Sequence, residues 1–340
     1  MATTCNVTVI ICAYTQKRWD DLIAAVESLH KQTRQPDEII IVIDYNTELF
    51  ERVRQRYPNI TVIENSHLRG LSGARNTGVA IAHGSYIAFL DDDAEAEPHW
   101  LELLLKCCID PHVLGVGGTV LPCWQGSHPA WFPSEFYWVI GCSYQTLLES
   151  PVVVRNPYGG CTCIKREVFQ ETGGYHEGIG RVGINFMGGE EAELSIRAVQ
   201  HWPEKVFLLE PKALVYHHIS AERTHLRYFL SRCYAEGLSK ALVSQYVGAK
   251  DGLSAERSYA FVTLPLAVSR YIGSALRHGD LHDLLRAGAI VLGLTMTATG
   301  YIKGCLRRQS VRHLGIHTDA NISFQPTLSF HNGDSKKVHF

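Results

Sequence analysis

The chain has 340 residues, 46% hydrophobic and 19% charged, enough for a sizeable core and too apolar for a disordered segment. Its formal net charge is −2 with no Lys/Arg block, so nucleic acid is not an expected partner. Ten cysteines occur without one CxxC pair. That argues against a zinc site and for reduced, mostly buried thiols in a cytoplasmic protein.

Residues 1–6 are short and polar, and no signal peptide is expected there. Val7-Thr-Val-Ile-Ile-Cys12 is an unbroken apolar run, the mark of a strand buried on both faces. Trp19, Leu22, Ile23, Val26 and Leu29 then recur at helical spacing, with Asp20 and Asp21 in the first turn. Pro36 precedes a second apolar run, Ile39–Ile43. A short helix over 48–56 and a strand over Ile60–Ile63 follow. Ser72–His83 predicts a helix closed by Gly84, and Tyr86–Leu90 a fourth strand that runs into Asp91, Asp92 and Asp93. Pro98 suits the start of a helix over Trp100–Cys108.

Strands alternating with helices predict an α/β fold with a doubly wound, mixed but mostly parallel sheet. Ligands of such sheets sit at the carboxyl ends of the strands. Residues 7–110 are the expected nucleotide-binding half. Residues 111–222, with strands near 113–120 and 205–216 and a helix over 190–200, are the expected acceptor half of one domain spanning 1–222. Residues 223–310 form a helical region that begins with a long helix from Thr224 to Val247, and 311–340 a polar tail. Ala287–Ile302 is an uncharged run of sixteen residues, short of the ~20 that span a bilayer. A buried helix or one lying on a membrane surface is expected there.

Three acidic or basic groups carry the chemistry. Three adjacent aspartates repel one another unless positive charge is near, and a hard divalent cation is their natural partner. The plainer alternative is a solvated turn, with Asp93 or Glu95 capping the next helix. Glu190 and Glu191 follow Gly188-Gly189 at a helix start, where one carboxylate is placed to take a proton from an attacking hydroxyl. Glu193 and Arg197, four apart, read as a surface ion pair. His217 and His218 end a strand and put one imidazole on each face, so one of them could complete a metal shell. The aromatic stretch 122–144 suits either stacking on sugars or packing beneath the sheet.

Together these motifs resemble the family 2 glycosyltransferases, which have the Rossmann-like A-type nucleotide-diphospho-sugar transferase fold. Five segments match in order: Val7–Tyr14, Glu38–Asp44, Gly70-Leu-Ser-Gly-Ala-Arg-Asn76, Phe89-Leu-Asp-Asp-Asp93 and Gly189–Arg197. They cover about residues 7–240. The resemblance implies that Ala13, Tyr14 and Asp44 hold the nucleoside. Arg75 would lie near the diphosphate, and Asn76 would be structural or donor-facing. Asp91 and Asp93 would meet metal and donor, with Asp92 near the ribose or sugar. Glu191 stands where the family has its catalytic aspartate, but Glu190 is also a candidate because glutamate is one methylene longer. His217 or His218 would be a further metal ligand. The implied cofactor is Mg²⁺ or Mn²⁺, and the implied donor a nucleotide sugar, UDP favoured. The acceptor would be a sugar or lipid-linked hydroxyl, reached by inversion on the cytoplasmic face of a membrane. The Gln-x-x-Arg-Trp signature of processive members is missing, so the resemblance implies single-sugar transfer. A non-catalytic nucleotide-sugar-binding protein of the same fold is the alternative. No GxGxxG follows the first strand and no P-loop occurs, which removes dehydrogenases and P-loop ATPases.

Overall fold

A computed structural model describes residues 6–144, 149–183 and 187–313. The apolar runs become buried parallel strands. β1 (Val7–Ala13) is followed by α1 (Trp19–His30), β2 (Glu38–Ile43), α2 (Thr47–Arg56), β3 (Thr61–Glu64), α3 (Leu71–Ile81) and β4 (Tyr86–Asp91). β1 lies between β2 and β4, parallel to both, and β3 adds outside β2. Ile10, Ile40, Val42 and Phe89 pack on one face of this sheet, and Val9, Ile11, Ile41 and Leu90 on the other.

β5 (Ala94–Ala96), α4 (Trp100–Cys108), β6 (Val113–Trp124), β7 (Val152–Val154), β8 (Cys161–Lys165), α5 (Arg166–Thr172), α6 (Glu190–His201) and β9 (Val206–Ile219) complete the α/β part. The sheet order is β3-β2-β1-β4-β8-β6-β9-β5, with β7 on β9. β8 is antiparallel to β4 and β6, whereas β6 and β9 are parallel. The sheet is therefore mixed and mostly parallel, as expected. One crossing matters for the site. The chain leaves β4 at Asp91, turns through Asp92 and Asp93, and enters β5, which pairs with β9 so that Ala94 faces His217.

The C-terminal region is helical: α7 (Leu226–Val247), α8 (Ala249–Gly252), α9 (Ser254–Ser258), α10 (Leu264–His278) and α11 (Leu281–His313). Pro265 does not break a helix. It sits in the first turn of α10, after a short π-helical segment, Tyr259–Thr263. Helix α11 is much longer than the uncharged run suggests. Its Leu281–Leu306 stretch of 26 residues is long and apolar enough to cross a membrane by length and composition alone. The run was cut short in the sequence by Asp283 and Arg286, which pair with each other at 2.6 Å. Backbone contact ties α11 to α7: a Cβ on Gly237 would lie 2.0 Å from the Thr297 carbonyl, and one on Gly300 2.1 Å from the Tyr234 carbonyl. Small residues let the two helices touch along their length, so α11 runs along α7. Its other face stays exposed, with Leu281, Leu285 and Leu292 each about half or more open. The expected polar tail lies, from residue 314 on, outside the described residues.

The aromatic stretch is mainly packing. Phe132, Phe136 and Phe229 are 1% exposed or less and stack with ring centroids 5.2–5.4 Å apart.

Candidate active site

One cavity of about 1320 Å³ opens where the carboxyl ends of β1, β2 and β4 face α6, α7 and the start of α10. It exceeds the ~300–1,000 Å³ of a single small-molecule site, so it has room for two substrates. Ala13, Tyr14, Asp44, Arg75, all three aspartates, Glu190, Glu191, His217 and His218 line it.

The aspartates differ in environment. Asp91 opens to the cavity, its side chain 40% exposed. Asp92 and Asp93 are buried. Neither caps helix α4, whose cap residue is His99 without a side-chain bond. Arg18 reaches both, at 2.7 Å from Asp92 and 3.2 Å from Asp93. Arg223 donates to Asp93 Oδ2 at 2.9 Å, and His217 Nε2 lies 3.1 Å from Asp93 Oδ1. Burial alone would push the Asp93 carboxyl up, but His217, Arg18 and Arg223 outweigh it and hold it well below the usual range. Burial pushes Asp92 up to about 7, against the pull of Arg18. Its Oδ2 has no hydrogen-bond partner.

The two acidic groups meet through Arg75, which is 3% exposed. Its Nη1 donates to Glu190 Oε1 at 2.9 Å, and Nη2 lies 3.8 Å from Asp91. The guanidinium sits over the rings of Phe89 and Tyr175. Arg75 therefore links the strand-end aspartates to the helix-start glutamates. Glu190 is engaged by this pair. Glu191, the next residue, is half-buried and lines the cavity. Burial, with Glu190 beside it, raises the Glu191 carboxyl to about 8 despite Arg75. Glu193 is buried, and Arg197 grips it at 2.8 Å while also donating to the Gly174 carbonyl. That pair pins the segment before the cavity and is not the surface pair the spacing suggests.

Other expected residues divide. Asp44 accepts from Asn65 Nδ2 at 2.7 Å and from the Gly70 amide at 3.1 Å, so it fixes the loop entering α3 while edging the cavity. Asn76 does not face the cavity. Its amide exchanges two 2.8 Å bonds with the backbone of Tyr175, the arrangement of the structural option. Of the histidines, His217 joins the aspartates. His218 does not: its Nδ1 meets Asp21 at 2.7 Å and its Nε2 meets Glu95 at 2.9 Å. Strand alternation puts the two rings on opposite faces.

Among the described residues, Asp91, Asp93 and His217 offer ligand atoms that all lie within 4.8 Å of one another. Two carboxylates and an imidazole, one carboxylate already held ionised, form a donor set that fits Mn²⁺ or Mg²⁺. Sequence reading missed Arg18, and gave Arg223 no role at the aspartates. The available signal was topological: Arg18 follows the carboxyl end of β1, next to that of β4.

The loop 156–160 closes one side. A Cβ on Gly160 would fall 2.1 Å from the Asp91 carboxylate, and one on Gly159 2.8 Å from the Arg75 guanidinium. Gly160→Ala is therefore expected to displace Asp91 and cut turnover at least ~10-fold, as sub-ångström misplacement of reacting groups does. The melting temperature should move by only a few degrees. Kinetics and a thermal melt of that variant check both; unchanged turnover would mean that Asp91 is not held where it is needed.

A family model described as glycosyl transferase family 2 matches residues 8–173. Over 306 residues the chain is 36% identical to the glucosyl-dolichyl phosphate glucuronosyltransferase of Haloferax volcanii, covering 88% of this chain and 96% of that one. Among solved structures, the mannosyltransferase PcManGT from Pyrobaculum calidifontis, in complex with GDP-Man and Mn²⁺, matches with a TM-score of 0.55 at 15% identity over 87% of each chain. GalNAc-T7 with UDP, GalNAc and Mn²⁺ matches with a TM-score of 0.50 at 18% identity, over 73% of this chain and 54% of that one. The likeness to both structures is one of fold.

Proposed function

This chain belongs to glycosyl transferase family 2, and we propose that it moves one sugar from a nucleotide-diphospho-sugar to a hydroxyl of a lipid-phosphate-linked sugar, with inversion and with a divalent cation. The observation that carries this reading is the joining of the aspartate and glutamate groups through Arg75 in one cavity large enough for two substrates. The Haloferax relative, a glucosyl-dolichyl phosphate glucuronosyltransferase, supports the acceptor class. UDP is the favoured nucleotide, present with Mn²⁺ in one of the structures of like fold.

Asp91, Asp93 and His217 would hold the cation, with His218 excluded by its partners Asp21 and Glu95. When bound, the cation supplies positive charge against the donor's diphosphate. Ala13, Tyr14 and Asp44, at the ends of β1 and β2, face the nucleoside. Arg75 keeps Glu190 engaged and leaves Glu191 to act as base. The ionised Glu191 carboxylate takes the acceptor proton. The acceptor oxygen forms its bond to the anomeric carbon as the bond to the diphosphate oxygen breaks, and the nucleoside diphosphate leaves with that electron pair.

The exposed apolar face of α10 and α11 supports docking on a membrane surface. Leu266 is 65% and Leu276 83% exposed, unusual for leucines in a soluble helix pair. Leu266→Glu with Leu276→Glu is expected to lower binding to phosphatidylglycerol vesicles at least ~10-fold, since each loses burial worth roughly 1.5–3 kcal/mol. The fold should be unaffected, because neither side chain is packed. Vesicle sedimentation checks this; equal sedimentation of variant and parent would end the docking idea.

The test of the reaction uses UDP-sugars, MnCl₂ and glucosyl phosphoryl phytanol. A product heavier by one sugar, with the opposite anomeric configuration by NMR, is expected. Products carrying several added sugars, or a retained configuration, would refute the reading.

A further inference from the structure

Four charged side chains meet on the wall of the cavity: Arg155 from the loop after β7, Glu236 and Lys240 from α7, and Glu256 from α9. Lys240 lies 2.7 Å from Glu256 and 3.1 Å from Glu236. Arg155 grips Glu256 with both ends of its guanidinium, at 2.5 and 2.8 Å. Cations and anions match, so the group as a whole is neutral.

The two glutamates differ in the oxygens they leave open. Both Glu256 oxygens are taken, Oε1 by Lys240 and Arg155 and Oε2 by Arg155. Arg155 also donates to the Gly252 carbonyl at 3.2 Å. Glu256 is thus a tie that fastens α9 to α7 and to the loop. Glu236 commits only Oε1, to Lys240. Its Oε2 has no partner among the described residues and is not sealed from solvent, in a side chain 18% exposed that lines the cavity. A free carboxylate oxygen in a largely closed cavity is placed to accept from a ligand hydroxyl.

This oxygen stands near the proposed base. The start of α6 is fastened to the same turn of α7. The Gly188 amide donates to Ser239 Oγ at 3.0 Å, and a Cβ on Gly189 would lie 3.1 Å from Val243 Cγ2. Ser239 falls between Glu236 and Lys240 in the chain, and Gly188 and Gly189 lead directly into Glu190 and Glu191. The Glu236 charge adds to burial and Glu190 in pushing the Glu191 carboxyl up. Burial likewise raises the Tyr158 hydroxyl, another group on the cavity wall, and Cys142, Tyr144, Glu191 and Glu236 add to that shift.

We propose that Glu236 reads the acceptor sugar: its Oε2 accepts from the hydroxyl next to the one that Glu191 deprotonates, Lys240 holds it in place, and the sugar received is neutral. This rests on the transfer reading above and names the class of sugar taken. Adjacent hydroxyls of one ring each offer a proton, and two carboxylates held on packed helices can meet them separately. An acidic sugar is disfavoured. Lys240 is already matched by two carboxylates, so a uronate would face Glu191 and Glu236 with no cation of the cluster left over.

Calorimetric titration in detergent, with UDP and Mn²⁺ present, tests this. The probes are glucosyl phosphoryl phytanol, its monodeoxy counterparts at each free hydroxyl, and glucuronosyl phosphoryl phytanol. The parent protein is expected to lose at least ~10-fold in affinity on removal of one particular hydroxyl, the worth of a hydrogen bond to a charged group. Glu236→Ala should weaken the glucosyl lipid by the same factor and bind that deoxy compound as the parent does. Glu236→Gln keeps the shape and a neutral acceptor, and should fall between. The glucuronosyl lipid should bind the parent at least ~10-fold more weakly than the glucosyl lipid, because like charges oppose it. Equal losses in Glu236→Ala for every member of the series would overturn the assignment, since a merely structural carboxylate weakens all alike. So would selective loss in Glu256→Gln instead, a glucuronosyl lipid bound as tightly as the glucosyl one, or a parent that binds none of the series. Selective binding without transfer of sugar to any member would instead refute the transfer reading and leave the subsite standing.

Discussion

Glu191→Gln is expected to lower kcat by about two to four orders of magnitude, the usual worth of a positioned general base. Glutamine keeps the shape and removes the carboxylate, so the melting temperature should hold or rise slightly. Burial and the neighbouring Glu190 work against the ionised Glu191 carboxyl and push it up to about 8. A base must be ionised to act. Below pH 8 the working fraction therefore falls about tenfold per pH unit, and kcat/KM should climb from pH 6 to about 8 and then level. The variant should lose that rise. Glu190→Gln tests the neighbouring carboxylate: it removes the charge that pairs with Arg75 at 2.9 Å and leaves only a neutral acceptor there. It should lower activity by weakening the link to Arg75, keep a rising pH profile, and move that rise to lower pH because the Glu190 charge no longer opposes ionisation of Glu191. If Glu190→Gln instead flattens the profile and Glu191→Gln does not, the base is one residue earlier.

Removing the charge of Asp93 should be as damaging to turnover, and chelation by EDTA should match it. Asp93→Asn is expected to abolish stimulation by Mn²⁺ and leave at most ~1% of the parent rate, consistent with the several kcal/mol a bound cation contributes to charge stabilisation. The variant must be chosen with care. Asp93 is buried and bound by Arg18, Arg223 and His217. Asp93→Ala would strand the buried Arg223 and take one of two carboxylates from Arg18, at a cost of about 3–5 kcal/mol, and would mix folding with catalysis. The aspartate cluster is therefore balanced by protein cations as well as by any bound ion. The sequence argument assigned that neutralisation to a divalent cation.

β1 to β4, β6, β9 and most of the long helices could be read from the chain because the signals were local, whereas the short β5, β7 and β8 were not expected. Val7–Cys12, Ile39–Ile43 and Tyr86–Leu90 are apolar runs that only buried strands tolerate, and Gly188-Gly189 before two glutamates marks a helix start. The aspartates at a strand end and the glutamates at a helix start were visible in the same way. What was hidden is tertiary. Arg75 reaches Glu190 across 115 residues, and no spacing rule reaches that far. Arg18 and Arg223 approach the aspartates from β1's loop and from beyond β9. The choice of His217 over His218 depends on which face of β9 turns to Asp93 and which to Asp21 and Glu95, and no local pattern shows that. Helix α11 was undersized because an uncharged run was taken as its length, although Asp283 and Arg286 neutralise each other within it.

The most direct measurement is pulsed electron paramagnetic resonance of Mn²⁺ bound to the chain with UDP. An imidazole nitrogen on the metal modulates the echo, so Asp91, Asp93 and His217 acting together predict nitrogen modulation that His217→Gln removes and His218→Gln leaves intact. A signal without nitrogen modulation, or modulation lost only in His218→Gln, would contradict the site.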